Sequence, residues 1–270
     1  LGDFMDHALT EIYSHLTHEL KRPLASLQQS VYLLLDEASG PLTPEQRRIV
    51  EIQLRNAKRV NKCITDLGYL AQIEAGTTTY QLANHSLATL IEEVVSEFED
   101  SLSERGVRIE AEFPAAPLEV RCDKALIGRA IGHVVENATK FSPTAGLVRI
   151  GVQQTLQLPS QCADIKLRKS PGFLLNQEGY CVISVADSGP GIAPSEREAI
   201  FQRFYQVKEH GNAYQQGLGI GLTLSKSIVQ DHGGAVWVDA NPGGGSLVSI
   251  LLPVATKMKV AQLEAFAKST

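Results

Sequence analysis

An imidazole beside a carboxylate, His18-Glu19, is the pair in this sequence best suited to nucleophilic chemistry. A neutral imidazole attacks electrophiles near neutral pH. The adjacent carboxylate can hold the useful tautomer and accept the ring proton. His18 lies two residues from both Leu16 and Leu20, ~200° around a helix of 3.6 residues per turn. It is therefore expected to point away from the seam those leucines bury. Pro23 offers no amide to the Glu19 carbonyl, so a bend is expected just past the histidine. A lone exposed histidine on a helix is more often inert, which is how His7 and His15 are read; His18 needs company.

Three further segments supply it. A hydrophobic strand, Val182–Ala186, delivers Asp187 to the bend Asp187-Ser188-Gly189-Pro190-Gly191. Such a carboxylate can accept an amino hydrogen from a purine while the glycines let a flat base approach the backbone. A plain strand-to-loop turn is the alternative. Gly217, Gly219 and Gly221 alternate before a helix, where exposed amides and the helix dipole favour phosphate. The spacing is not the dinucleotide fingerprint, and no G-K-[ST] follows to make a P-loop. The last segment, His133 to Phe141, sets Asn137 one helical turn from His133 with Lys140 three residues on. An amide oxygen suits magnesium and a lysine suits phosphate, though an ordinary polar helix face would look the same.

The elements that must position these groups fall into two textures. Residues 1–76 hold two apolar ladders at helical spacing, Leu9 to Leu34 and Val50 to Ala71. Ala38-Ser39-Gly40-Pro41 breaks them, and Thr43-Pro44-Glu45-Gln46 restarts the helix with a capping box. An antiparallel hairpin of this kind leaves one seam in water, so pairing with a second copy into a four-helix bundle is expected. Residues 77–254 read as an α/β two-layer sandwich. Strands are expected at Thr79–Leu82, Val107–Phe113, Leu118–Cys122, Val148–Gln153, Tyr180–Ala186, Ala235–Asp239 and Ser246–Leu252. Helices are expected at Leu87–Leu102, Lys124–Lys140 and Leu222–Asp231. Gln154–Glu178 reads as a long irregular insertion, and residues 255–270 as a polar tail.

The 270 residues carry a net charge of -5, which argues against a general nucleic-acid surface. No apolar run is long enough to span a membrane. Four scattered cysteines form no C-x-x-C pair and read as reduced thiols. The chain begins at Leu1 without a visible signal peptide, so a sensing or membrane-anchoring region is expected upstream, with this portion cytoplasmic.

In their order along the chain, the four segments resemble the transmitter region of sensor histidine kinases: phosphoacceptor box, asparagine box and two glycine boxes. Phe201-Gln202-Arg203-Phe204-Tyr205 resembles the phenylalanine box between the glycine motifs. The resemblance implies a dimerisation and histidine-phosphotransfer hairpin followed by an ATP-binding domain of the gyrase and Hsp90 kind. It makes His18 the phosphorylated nucleophile and Glu19 its base, with ATP and magnesium as cofactors. Asn137 would ligate magnesium, Lys140 and Arg203 would reach phosphate, and Asp187 would hold the adenine amino group. Gly189 and Gly191 would shape that pocket. Gly217, Gly219 and Gly221 would support the phosphates and a lid over Gln206–Gln216. The implied partners are a second copy of the chain and the receiver domain of a response regulator. Two positions depart from the family: Arg22 replaces a usual threonine or asparagine four residues after the histidine, and His133 replaces the first asparagine of its box. These departures keep open the reading of a degenerate nucleotide-binding scaffold. A conformational ATPase of the gyrase and Hsp90 kind is the other alternative, against which His133 stands where such enzymes usually carry a catalytic glutamate.

Overall fold

The computed structural model describes residues 2–38, 40–99, 102, 105–162, 179–207 and 218–255, with side chains for Thr17 and from Glu19 onward. The chain divides into two compact units, Leu1–Thr79 and Tyr80–Thr270.

The first unit is a helical hairpin of α1 (Gly2–Leu35) and α2 (Pro44–Glu74). The restart works as its residues require. Thr43 Oγ1 accepts the Gln46 amide at 3.2 Å, and Gln46 Oε1 accepts the Thr43 amide at 2.9 Å. Pro44 sits where a missing N–H costs nothing. The helices run antiparallel: Thr17 lies against Gly68, while Glu37 pairs with Arg47 at the turn. α1 remains helical through Pro23. Its apolar ladder splits within the single hairpin. Leu24 and Val31 are each 8% exposed, whereas Leu20 and Leu27 remain 50% and 61% exposed. One hairpin covers only one side of each ladder, because a second helix can shield only part of a cylinder.

The second unit is the expected two-layer sandwich. Its elements are β1 (Leu82–Ser86), α3 (Leu87–Ser96), β2 (Arg108–Glu112), β3 (Glu119–Asp123), α4 (Lys124–Phe141), β4 (Leu147–Thr155), β5 (Tyr180–Ala186), α5 (Gly221–Asp231), β6 (Ala235–Ala240) and β7 (Ser246–Pro253). Five strands form a mixed sheet in the order β2-β4-β5-β7-β6, parallel only between β2 and β4, and β1 pairs antiparallel with β3. Alternation along the strands puts Ile150, Val152, Ile183, Val185, Ile250 and Val236 on one buried face, in register with one another. Helices α3, α4 and α5 bring Ile91, Ile127, Ile131, Leu224 and Ile228 to the buried core.

Three boundaries moved. The strand expected at Thr79–Leu82 starts only at Leu82, because pairing with β3 begins there. Tyr80 and Gln81 are instead fixed by side chains: the Tyr80 hydroxyl donates to Asp231, and Asp123 Oδ2 accepts the Gln81 amide at 2.9 Å. The helix expected to reach Leu102 ends at Ser96, where the amides of Glu97 and Phe98 turn back three residues to the Val94 and Val95 carbonyls; Glu99 and Leu102 are helical again beyond that turn. Part of the insertion falls within the described residues. β4 extends to Thr155, and a short turn at Ser160–Cys162 carries Cys162 into a cluster with Tyr180, Val182, Ala235 and Leu251 on the sheet's second face. Residues 163–178 and the tail beyond Ala255 lie outside the described residues.

Candidate active site

Strand β5 ends at Ala186 and delivers Asp187, and the turn that follows is built around its carboxylate. Asp187 is 6% exposed. Its Oδ1 accepts the amides of Gly189 at 2.8 Å and Ser246 at 3.0 Å, and the Ser246 hydroxyl bonds to the same group. Burial pushes the carboxyl above its ordinary value, and these hydrogen bonds pull it part of the way back. The backbone closes around it as well. Asp187 donates its amide to the Ser246 carbonyl at 2.9 Å, and Asn241 Nδ2 donates to the Asp187 carbonyl at 2.9 Å.

Glycine is required here for backbone contact. A Cβ on Gly245 would stand 2.1 Å from the Asp187 carbonyl oxygen, and Gly245 has φ +94°. A Cβ on Gly189 would stand 2.8 Å from the Phe141 carbonyl, so the turn after Asp187 rests on the last turn of α4. Gly191 takes φ +81° and faces the Gly245 carbonyl. Gly245 was not singled out in the sequence. The run Asn241-Pro242-Gly243-Gly244-Gly245 signals a turn between strands, but not which turn it meets.

Helix α4 starts from Asp123, whose Oδ1 accepts the Leu126 amide at 3.1 Å. It carries His133, Asn137 and Lys140. Asn137 and Lys140 are half-buried, and the Lys140 ammonium lies 4.8 Å from the centre of the Phe141 ring. His133 is 4% exposed, with Nδ1 3.8 Å from a Glu136 carboxylate oxygen. The His133 ring packs on Gly221, where an added Cβ would meet Nδ1 at 3.0 Å. The asparagine helix and the second glycine segment thus meet at the start of α5. Ser225 reinforces the junction, donating to the Ala130 carbonyl at 3.0 Å.

Helix α5 opens at Ile220 without a side-chain cap, so its own side chains leave the first-turn amides to other acceptors. In that turn the Thr223 hydroxyl is buried with no hydrogen-bond partner among the described residues. Gly219, at φ +69°, lies against the Phe204 and Tyr205 backbone, and the Phe204 amide donates to the Gly219 carbonyl at 2.9 Å. The phenylalanine segment and the second glycine segment therefore close one loop at its base. Gly217 and residues 208–216 of the expected lid lie outside the described residues. Arg203 is exposed beside this base.

His18 and Glu19 belong to the other unit. His18 lies within α1, and its side chain is outside the described ones. Glu19 is exposed and stands 3.9 Å from Arg22, one turn along.

The donor set fits a magnesium-bound nucleotide. Among the described residues, no three His, Cys, Asp or Glu groups gather as a metal cage. Magnesium usually retains waters and phosphate oxygens and takes few protein ligands, which a single amide oxygen at Asn137 satisfies. The uncapped start of α5 and the unpartnered Thr223 hydroxyl are donors suited to phosphate oxygens.

Comparison with known proteins points the same way. The family model described as "Histidine kinase-, DNA gyrase B-, and HSP90-like ATPase" matches residues 122–256, and "His Kinase A (phospho-acceptor) domain" matches residues 8–76. The chain is 30% identical over 251 residues to the sensor histidine kinase TmoS of Ectopseudomonas mendocina, covering 93% of this chain and 23% of that protein. It is 28% identical over 254 residues to the hybrid signal transduction histidine kinase D of Dictyostelium discoideum, covering 94% and 15%. The chain thus spans less than a quarter of either relative. Among solved structures, full-length ShkA in complex with AMPPNP superposes with a TM-score of 0.68 at 25% identity, over 92% of this chain and 46% of that one. Among the described residues, no helix is long and apolar enough to cross a membrane.

Proposed function

We propose that this chain, which belongs to the histidine kinase family as its transmitter region, uses ATP to phosphorylate its own His18. The phosphoryl group then passes to an aspartate on the receiver domain of a response regulator. The supporting observation is the convergence on one helix: Asp187 with its glycine turn rests on the end of α4, and the start of α5 rests on His133 of the same helix.

In this reading the Asp187 carboxylate accepts a hydrogen from the adenine amino group. The turn of Gly189 and Gly191 sets the wall against which the base lies. Asn137 would hold magnesium, which would supply charge neutralisation on the phosphates. Lys140, the first-turn amides of α5 and the Thr223 hydroxyl take phosphate oxygens, with Arg203 and the segment from Gly217 to Gly221 flanking the lid. The His18 imidazole attacks the γ-phosphorus in line. The bond to the bridging oxygen breaks and ADP leaves with the electron pair. The proton displaced from the ring passes to Glu19. A phosphoramidate is high in energy, so transfer to a carboxylate runs downhill. The exposed Leu20 and Leu27 mark the face of α1 through which a second copy completes a four-helix bundle.

The test is incubation with γ-labelled ATP and magnesium. Acid-labile, alkali-stable label on the protein, lost in His18→Ala, is the expected result. Free phosphate without protein label would identify a conformational ATPase instead, and neither product would identify a nucleotide-binding scaffold.

A further inference from the structure

Helix α4 ends in a way its own sequence cannot complete. Its C-cap is Ser142, and Pro143 follows. Proline has no amide to fold back onto the helix, so the usual glycine-based closure of the last carbonyls is unavailable. The Ser142 amide reaches the Ala138 carbonyl at 3.1 Å. The carbonyls of Thr139 and Lys140 need donors from elsewhere, as does that of Ser142.

Arg105 supplies them. Its Nη1 donates to the Thr139 carbonyl and to the Lys140 carbonyl at 3.1 Å, and its Nη2 donates to the Ser142 carbonyl at 2.8 Å. One planar fork closes three acceptors at the negative end of the helix dipole, which a cation also favours. The fork is firmly mounted. The Arg105 carbonyl accepts the Ala145 amide at 3.2 Å, and the Arg108 backbone amide donates to the Gly146 carbonyl at 3.0 Å, where β2 joins β4.

The turn that Arg105 closes is also the floor of the site. The Phe141 carbonyl is the atom a Cβ on Gly189 would strike, and Ser142 Oγ lies 3.4 Å from the Ser188 amide that donates to it. Ser188 Oγ in turn donates to the Leu147 carbonyl at 2.8 Å. Lys140 sits in the turn itself. The clamp therefore bears on two groups with separate roles, the phosphate-side lysine and the base-side aspartate turn.

We infer that Arg105 is a positioning residue for nucleotide binding: by closing the last turn of α4 it holds Lys140 and the Asp187–Gly189 turn in register. The inference rests on the nucleotide-binding reading above. It carries a distinct signature, because loss of the clamp should loosen one helix end while the sheet core stays closed.

The experiment measures ADP–magnesium affinity by titration calorimetry, and amide exchange, for the unsubstituted chain, Arg105→Ala and Arg105→Lys. Arg105→Ala should weaken ADP about tenfold, the scale of losing charge-assisted hydrogen bonds that water partly replaces. Exchange should quicken at Lys140 to Gly146 and at Ser188 and Gly189 but not in β5 or β7. Arg105→Lys, which keeps the charge but not the fork, should recover only part of the affinity. At saturating ATP, kcat for autophosphorylation should change far less than KM. Native affinity in folded Arg105→Ala would overturn the inference, as would exchange quickened equally across the sheet core. If Arg105→Ala does not fold, Arg105→Lys decides: full native affinity there rejects the fork. Failure of the unsubstituted chain to bind ADP at all would instead sink the nucleotide reading beneath it.

Discussion

Replacing Asp187 by asparagine and by alanine should separate two jobs that one carboxylate performs. The first job is structural, since Oδ1 closes the amides of Gly189 and Ser246. Asparagine keeps an oxygen in that place, so both amides stay bonded and no charge is buried. Its stability at neutral pH should stay within ~1 kcal/mol of the original or exceed it. Alanine leaves two buried donors bare at ~1–3 kcal/mol each, and entry of water should limit the loss to about 2–4 kcal/mol. The second job is the proposed grip on the adenine amino group. A hydrogen bond to a charged acceptor is worth ~1.5–3 kcal/mol, so both variants should bind ATP about 10- to 150-fold more weakly. The pH dependence has a definite sign. The native carboxyl titrates above its ordinary value of 3.8 because it is buried. Between 3.8 and the raised native value the folded state holds more protons than the unfolded state, so stability falls as pH rises through that window. Asp187→Asn lacks this decline, and its relative stability should improve across it. Urea unfolding from pH 4 to 8 and nucleotide titration measure all of this. Asp187→Asn that binds ATP as well as the original, or that is as unstable as Asp187→Ala, refutes the reasoning.

Gly245→Ala, whose Cβ would stand 2.1 Å from the Asp187 carbonyl, should lose ~2 kcal/mol or more in urea unfolding. Gly244→Ala shares a positive φ but meets open space and should lose only about 1 kcal/mol. His232 is held below its ordinary 6.5 by burial, against the pull of the Ile228 carbonyl, Asp123 and Asp231, and its Nε2 accepts the Asp123 amide at 3.1 Å. With the native value depressed, the unfolded state gains protons first as pH falls below 6.5. Stability should drop in that range, and His232→Gln should flatten the drop in a urea series from pH 8 to 5. Arg22 stands four residues after His18 and pairs with Glu19, and a guanidinium cannot accept a hydrogen bond from an attacking water. The original chain with ADP should therefore leave the lifetime of a phosphorylated receiver domain nearly unchanged, while Arg22→Thr should shorten it severalfold.

What was legible in the sequence lies within a few residues of itself. Thr43 and Gln46 announce their reciprocal cap because both bonds close inside four residues. Asp187 is legible as a strand end because a hydrophobic run and a glycine bend adjoin it. The ladders of α1 and α2 announce their helices, and the alternating strands announce the sandwich. Tertiary structure decided the rest, because those contacts join segments whose separation leaves no local trace. Arg105 closes a helix end more than thirty residues away. Gly245 is needed because β7 returns beside β5, and His133 is buried because α5 begins on its ring. The split of the α1 ladder into buried Leu24 and exposed Leu20 was likewise beyond local reading. Periodicity fixes which residues share a stripe, but only packing decides how much of that stripe one partner helix can cover.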